Sequence, residues 1–135
     1  MKRFFLLLLT LSSLLGAVAF SFDLWRGRTM PLEQVKKRWG TEKFEAKKFK
    51  AGDANVKSKM AYSLLKEENS WIGKDIDEVR SLLGTPDGFY FVDIHPAYIV
   101  QEGQTRDEET WQLVFLLDNR YKVKAAFMHL NCCEK

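Results

Sequence analysis

The chain has 135 residues, a length that suits one domain and is too short for two. Hydrophobic residues make up 46% of it and charged residues 29%, which excludes a disordered or low-complexity protein. The net charge of +3 does not indicate a nucleic-acid-binding protein, and two cysteines cannot supply a disulfide framework or a four-thiolate zinc site.

Residues 1–19 have the pattern of a secretory signal peptide. Lys2 and Arg3 form a short basic start, residues 4–18 are almost uninterruptedly apolar, and residues 17–19 (Ala-Val-Ala) match the small-x-small cleavage pattern. This predicts export to the periplasm or the extracellular space, with cleavage after residue 19. The alternative is an uncleaved anchor that keeps the protein at the membrane, since the apolar run is close to the length that spans a bilayer.

Charge is distributed unevenly after this segment. Residues 24–60 contain 11 Lys or Arg and 4 Asp or Glu, whereas residues 61–135 contain 8 and 13. The basic part is interpreted either as a solvated helix face or as a region that lies close to an anionic membrane surface, because it follows the membrane-targeting segment. Nucleic acid is not expected as a partner, because the basic residues are interleaved with acidic ones.

The first predicted helix is short. Thr29 can cap it, Gly40 can end it, and its apolar stripe is formed by residues three and four positions apart. These residues are Leu32, Val35 and Trp39. Residues 41–52 are rich in lysine and are interpreted as a connector that Phe44 and Phe49 fix to the core.

A longer helix is predicted over residues 54–67, with Asp53 as its cap. Its inward face consists of Val56, Met60, Leu64 and Leu65. The apolar residues of this face are predicted to pack in the core.

The next helix, residues 75–83, has the clearest boundaries in the chain. Asp75 and Glu78 form a capping pair at its start, Gly84 suits the left-handed position after its end, and Pro86 prevents its continuation. Its buried face is formed by Ile76, Val79, Leu82 and Leu83.

The remaining residues have the pattern of strands. The predicted strands are Phe89–His95, Ala97–Gln101 (which continues the first or is separate), Thr110–Leu117 and Arg120–Leu130. An acidic loop, residues 102–109, precedes the third strand, and Asp118-Asn119 is interpreted as a two-residue hairpin turn. In the last strand basic residues alternate with apolar ones, which predicts one wet face and one packed face. The fold class is therefore α+β, with two to three helices packed on one face of a three- to four-stranded antiparallel sheet.

Residues 73–87 (GKDIDEVRSLLGTPD) resemble the signature of small exported proteins of the BamE (SmpA/OmlA) type, and residues 111–118 followed by a turn and a strand resemble the closing hairpin of that family. The resemblance covers about residues 71–130. It implies a compact module of two helices against a three-stranded antiparallel sheet. Several members of the family are accessory lipoproteins of outer-membrane β-barrel assembly, and the fold also occurs in secreted β-lactamase inhibitors. The structural motif maps onto Asp75, Glu78, Val79, Leu83, Gly84 and Pro86.

This chain lacks the lipidated cysteine of the barrel-assembly members. The predicted organisation is a signal peptide or uncleaved anchor (1–19), a basic N-terminal region with a short helix (20–52) and a BamE-like α+β module (53–131).

No spacing in the sequence is typical of a catalytic motif, a metal site or a cofactor site. The two histidines, His95 and His129, lack further ligands at metal-binding spacing. Cys132 and Cys133 are candidates for a vicinal or intermolecular disulfide, because export favours oxidation, or for a reduced tail without a function. No cofactor and no metal are expected.

The leading hypothesis is a non-catalytic cell-envelope module that binds another protein, resembling accessory factors of outer-membrane assembly. The candidate contact residues are Tyr90, Tyr98, Glu108 and Glu109. Strand alternation places Phe89 and Phe91 on a shared, core-facing side and therefore predicts that Tyr90 faces solvent.

One alternative is a small enzyme with a site between helices and sheet that uses Asp93, His95 or Tyr98. The other is a lipid- or small-ligand-binding protein that uses the aromatic surface. An exposed apolar patch with a charged rim would favour protein binding, whereas His95 beside acidic groups in a closed pocket would favour an enzyme.

Overall fold

The computed structural model describes residues 26–105 and 107–131 of the chain. The helices in this part are α1 (Leu32–Trp39), α2 (Ala46–Ala51), α3 (Ala54–Lys66), α4 (Glu68–Trp71) and α5 (Ile76–Leu83). The strands are β1 (Thr29–Met30), β2 (Ala97–Gln101), β3 (Trp111–Leu117) and β4 (Val123–Leu130). The strands form one antiparallel sheet in the order β1-β4-β3-β2, with the helices packed against it. This confirms the predicted α+β class. The predicted signal peptide (1–19) and the pair Cys132 and Cys133 lie outside the described residues.

Local capping chemistry sets the boundaries of α3 and α5 as predicted. The carboxylate of Asp53 accepts a hydrogen bond from the backbone N–H of Val56 at 2.9 Å. At the start of α5, Asp75 accepts from the N–H of Glu78, and Glu78 accepts from the N–H of Asp75, which forms a complete capping box. Gly84 ends α5 with a φ of 89°, a left-handed conformation that a β-carbon disfavours.

Two features of residues 26–52 differ from the prediction. Thr29 does not cap α1, because it pairs with His129 at the edge of β4, and Pro31 is the N-cap instead. The expected connector contains α2, a helix without a side-chain cap that buries Phe49 completely. Tertiary packing of one aromatic side chain stabilises this short helix, which its local sequence does not signal. Residues 29–52 thereby pack into the same core as the later elements.

The main core lies between the helices and one face of the sheet. Its largest fully buried side chains are Phe49, Met60, Leu64, Leu83, Tyr98, Leu113, Phe115 and Met128. Aromatic rings meet edge to face within it: the centroids of Phe49 and Tyr98 are 5.7 Å apart, and Trp71 lies 5.1 Å from Phe115 in a tilted arrangement. Burying this apolar surface is the main source of stability for a domain of this size.

At the start of β4 the predicted alternation holds, since Lys122 and Lys124 are exposed and Val123 and Ala125 are buried, but the rest of the opposite face is covered rather than wet. All seven residues of β3 are buried. A second, smaller cluster lies on this face and consists of Tyr90, Ala97, Val114, Leu116, Ala125 and Phe127. The cover is the segment between α5 and β2, from which Tyr90 inserts against β4.

Two predicted local structures are wrong. Residues 89–95 form no ladder with the sheet, and only an isolated bridge joins Tyr90 and Val92. The β3–β4 turn has three residues, since the N–H of Asp118 donates to the carbonyl of Lys122 and Tyr121 takes a φ of 60°. The carboxylate of Asp118 accepts the N–H groups of Arg120 and Lys122 and so fixes this longer turn.

Acidic side chains bind two N–H groups of the sheet that no strand pairs, one on the edge strand β2 and one on the part of β4 that β1 does not cover. On β2, the N–H of Ile99 donates to the carboxylate of Asp87 at 2.8 Å. On β4, the N–H of Ala126 donates to Glu68 at 3.1 Å. Each contact satisfies an N–H group that could otherwise pair with another chain.

Candidate functional site

The segment Phe89–Ile94, here called the apolar loop, carries the largest concentration of exposed apolar side chains in the described residues. Phe89 is 51% exposed, Phe91 64%, Val92 48% and Ile94 40%. The other large exposed apolar side chains in this part of the chain, Leu32, Ile72 and Tyr121, are scattered over separate elements. Scattered apolar residues are ordinary on a surface, whereas a contiguous group marks an interaction site.

Tyr90 anchors the apolar loop to the sheet. It is 2% exposed, and its hydroxyl donates to the backbone carbonyl of Arg26 at 3.1 Å. Its ring meets those of Phe127 and His129 edge to face, with centroids 5.5 and 4.9 Å away. Burial raises the pKa of the Tyr90 hydroxyl. The anchor explains why the neighbouring side chains point outward.

Phe91 is held in a strained backbone conformation. Its φ is 53°, in the left-handed region that aromatic residues rarely adopt. The following N–H, that of Val92, donates to the carbonyl of Tyr90 at 2.6 Å and closes a tight turn. Strain of this kind costs about 1–3 kcal/mol and is concentrated at functional sites. Here it presents a phenylalanine ring to solvent.

A buried amide fixes the base of the apolar loop. Gln112, fully buried in β3, accepts the N–H of Phe89 at 3.0 Å and donates to the carbonyl of Phe89 at 2.6 Å. Its amide nitrogen also lies 3.2 Å from Nδ1 of His129. The amide oxygen accepts the N–H of Phe89, which identifies the other amide atom as the nitrogen. An amide nitrogen can only donate, so Nδ1 of His129 is the acceptor. Desolvation lowers the pKa of His129, which keeps the imidazole neutral in this role.

The structure reverses the predicted orientation of the aromatic residues. Phe89 and Phe91 were expected in the core and are exposed, whereas Tyr90 was expected at the surface and is buried. The expectation failed because it assumed a strand, while the segment turns at Phe91 and buries the side chain of Tyr90 against the sheet. The sequence signal that could have indicated the anchor is Gln112, a lone polar residue in the apolar run of β3.

Tyr98 is also buried, which contradicts its predicted exposure. It is 0% exposed, and its hydroxyl donates to the carbonyl of Gly84 at 2.9 Å. Desolvation strongly raises its pKa. Tyr98 belongs to the main core beneath the helices and ties β2 to the end of α5.

The acidic-loop candidates, Glu108 and Glu109, contact their own surroundings. Glu109 accepts from the indole N–H of Trp111 at 2.8 Å and lies 3.6 Å from the guanidinium of Arg38. Glu108 accepts the backbone N–H of Gln104 at 2.6 Å. These contacts shape the acidic loop, and neither residue lies in the apolar loop or the cleft beside it.

A cleft of about 470 Å³ lies beside the apolar loop. Its lining includes Lys50, Arg80, Pro86, Phe89, Val92, Asp93 and His95. Nδ1 of His95 accepts the N–H of Leu117 at 3.1 Å, so the neutral ring carries its proton on Nε2. Desolvation, and then the charge of Lys124, lower the pKa of His95.

The structure brings together two of the three residues named for an enzyme site. Asp93 and His95 line the cleft, whereas Tyr98 lies in the main core. Of the structural motif, Gly84 and Pro86 also line the cleft, while Val79 and Leu83 are buried in the core. The capping pair acts locally, and the hydrogen bond from the Glu78 N–H is the main cause that lowers the pKa of Asp75.

Over residues 26–105 and 107–131, no group of three or more His, Cys, Asp or Glu side chains could hold a metal ion. None of the helices in this part is both long and apolar enough to cross a membrane. Comparison of the chain with protein-family models, with curated proteins and with solved structures finds no match in any of the three.

Proposed function

We propose that this protein is an exported, non-catalytic module of the cell envelope that binds another protein through its apolar loop. The observation that carries the proposal is the exposure of Phe89, Phe91, Val92 and Ile94 on one short segment. Aromatic and aliphatic side chains presented on a rigid base are the usual centre of a protein interface.

The backbone strain at Phe91 supports the same proposal. Its ring is 64% exposed, so it contributes little to the core, and its φ of 53° costs stability. One side of the ring packs on Tyr90, with centroids 4.7 Å apart, and the exposed side is available to contribute in a complex. The buried anchors Tyr90 and Gln112 keep the loop in one conformation, which reduces the entropy cost of association.

The signal-like N-terminus supports a role outside the cytoplasm. The resemblance of residues 73–130 to BamE-type modules supports an accessory role in outer-membrane assembly as the more specific form of the proposal. The cleft favours an enzyme less, because the ring nitrogen of His95 that could act as a base already accepts a backbone N–H.

The test uses a double variant, Phe91→Asn with Val92→Ser. Asparagine tolerates a positive φ, so this variant should fold as well as the wild type while losing the centre of the patch. The control is Ile72→Ser, which removes an apolar side chain of similar exposure, 47%, from the end of α4.

Each tagged protein is expressed in the producing organism and recovered from the envelope fraction. We expect the wild type and Ile72→Ser to recover the same partner protein and the folded double variant to lose it. Equal recovery by all three would refute the docking role of the apolar loop. Turnover of a substrate by the wild type, without any bound protein, would refute the non-catalytic function.

A further inference from the structure

We infer that the cleft beside the apolar loop binds a carboxylate group that the partner carries next to an aromatic or aliphatic side chain. This inference rests on the proposed function and specifies the chemistry of the partner. The cleft and the loop share Phe89 and Val92, so a ligand on the loop extends directly into the cleft.

The cleft has one apolar wall and one cationic wall. Pro86, Phe89 and Val92 supply apolar surface, whereas Lys50 and Arg80 supply positive charge. Of the described residues that line the cleft, Asp93 is the one carboxylate, so two cations face one acid. The excess of positive charge favours an anionic group, and the apolar wall accepts an apolar side chain beside it.

Some of the described basic residues pair with a carboxylate, whereas many others, with Lys50 and Arg80 among them, do not. Lys57 lies 3.6 Å from Asp87, and Lys122 lies 3.7 Å from Asp75. Among the described residues, neither Lys50 nor Arg80 is within ion-pair distance of a carboxylate.

Within the described part of the chain, the Lys50 ammonium donates one hydrogen bond, a long one of 3.4 Å to the carbonyl of Ser81. This leaves its other N–H groups for a ligand. Arg80 is exposed, and a guanidinium presents a planar set of donors that matches both oxygens of a carboxylate.

His95 adds a neutral donor to the cleft. Its Nδ1 is occupied by the N–H of Leu117, so the remaining ring proton resides on Nε2. A neutral donor and two cations suit a carboxylate better than a neutral amide, because hydrogen bonds to a charged acceptor are about twice as strong. The volume of about 470 Å³ accommodates one such group with a single adjoining side chain.

The test compares two probes that differ in one group, N-acetyl-L-phenylalaninate and N-acetyl-L-phenylalaninamide. Each is titrated into the ¹⁵N-labelled exported chain at about pH 7.5, where the carboxylate is ionised. Amide chemical shifts report the site and the dissociation constant. We expect the carboxylate to shift the signals of Gly88 and His95 and to bind about tenfold more tightly than the amide.

Three variants assign the effect to the cations. Arg80→Gln and Lys50→Gln should each weaken carboxylate binding by about threefold or more and leave amide binding unchanged. The matched control is Lys47→Gln, because Lys47 is exposed on the same helix as Lys50 and does not line the cleft. This variant should change neither carboxylate binding nor amide binding.

Equal affinities for the two probes, the absence of shifts at the cleft, or insensitivity to both cation variants would overturn the inference. The proposed function is tested separately, because it depends on Phe91 and Val92 rather than on the cations. Loss of the partner in the Phe91→Asn, Val92→Ser variant together with equal probe affinities would uphold docking and reject the carboxylate site.

Discussion

The buried amide of Gln112 makes a strong prediction about stability, because it serves the backbone of the apolar loop rather than its own strand. Gln112→Met keeps the length and approximate volume of the side chain and removes both of its polar groups. The N–H and carbonyl of Phe89 and Nδ1 of His129 each lose a partner. A buried polar group left without a partner costs about 1–3 kcal/mol.

The contacts with Phe89 are only partly buried, whereas that with His129 is buried. Water can therefore replace part of the hydrogen bonding that the Phe89 backbone loses. Burial of the apolar methionine side chain offsets part of the remaining cost. We expect Gln112→Met to lower the free energy of unfolding by about 2–4 kcal/mol. Urea unfolding followed by circular dichroism measures this change.

The matched control is Gln34→Met, an exposed glutamine on α1, which should change stability by less than about 0.5 kcal/mol. Hydrogen exchange supplies a second readout, since the amide of Phe89 should exchange faster in the Gln112 variant. A loss below about 0.5 kcal/mol, with exchange at Phe89 unchanged, would show that the amide does not anchor the loop.

Three further predictions concern the end of α5, its start and the second face of the sheet. Gly84→Ala should lower the free energy of unfolding by about 1–2 kcal/mol, because φ is 89° and the new β-carbon would lie 3.1 Å from a side-chain carbon of Lys50; an unchanged urea midpoint would contradict this. Asp75→Ala should lower the thermal midpoint more than Asp77→Ala, since only Asp75 caps the helix, and equal effects would refute the capping role. Burial lowers the pKa of His129 below its unfolded value of about 6.5. As the pH falls, the unfolded chain therefore binds a proton at this histidine at a higher pH than the folded chain does. The free energy of unfolding should decrease as the pH drops from about 7.5 to about 5.5. His129→Gln should reduce this fall, and a urea midpoint that is independent of pH would contradict the argument.

Local signals in the sequence were sufficient for the elements with strong capping chemistry. The capping pair at Asp75 and the glycine at position 84 predicted α5, and Asp53 predicted the start of α3. These features are determined by residues within one turn of the helix end, so the sequence alone contains them. Apolar runs likewise predicted β3 and most of β4.

The features that the sequence did not predict depend on contacts between distant residues. The short strand β1 forms because the edge of β4 is available to it, and α2 forms because Phe49 is buried. The apolar loop has the alternating composition of a strand, but Gln112 binds the backbone of Phe89 from 23 residues away. Such long-range contacts override local β-propensity, and they determine which aromatic rings face solvent.

The proposed function requires that the apolar loop contact a partner protein directly. The most direct measurement places a photoreactive benzoylphenylalanine at position 91 of the exported protein and, separately, at position 72. Both positions hold exposed apolar side chains in the wild type, Phe91 on the apolar loop and Ile72 at the end of α4. After illumination of intact cells, we expect one protein of defined mass to be crosslinked from position 91 and not from position 72. Equal yields from both positions, or no adduct from position 91, would contradict direct docking through the apolar loop.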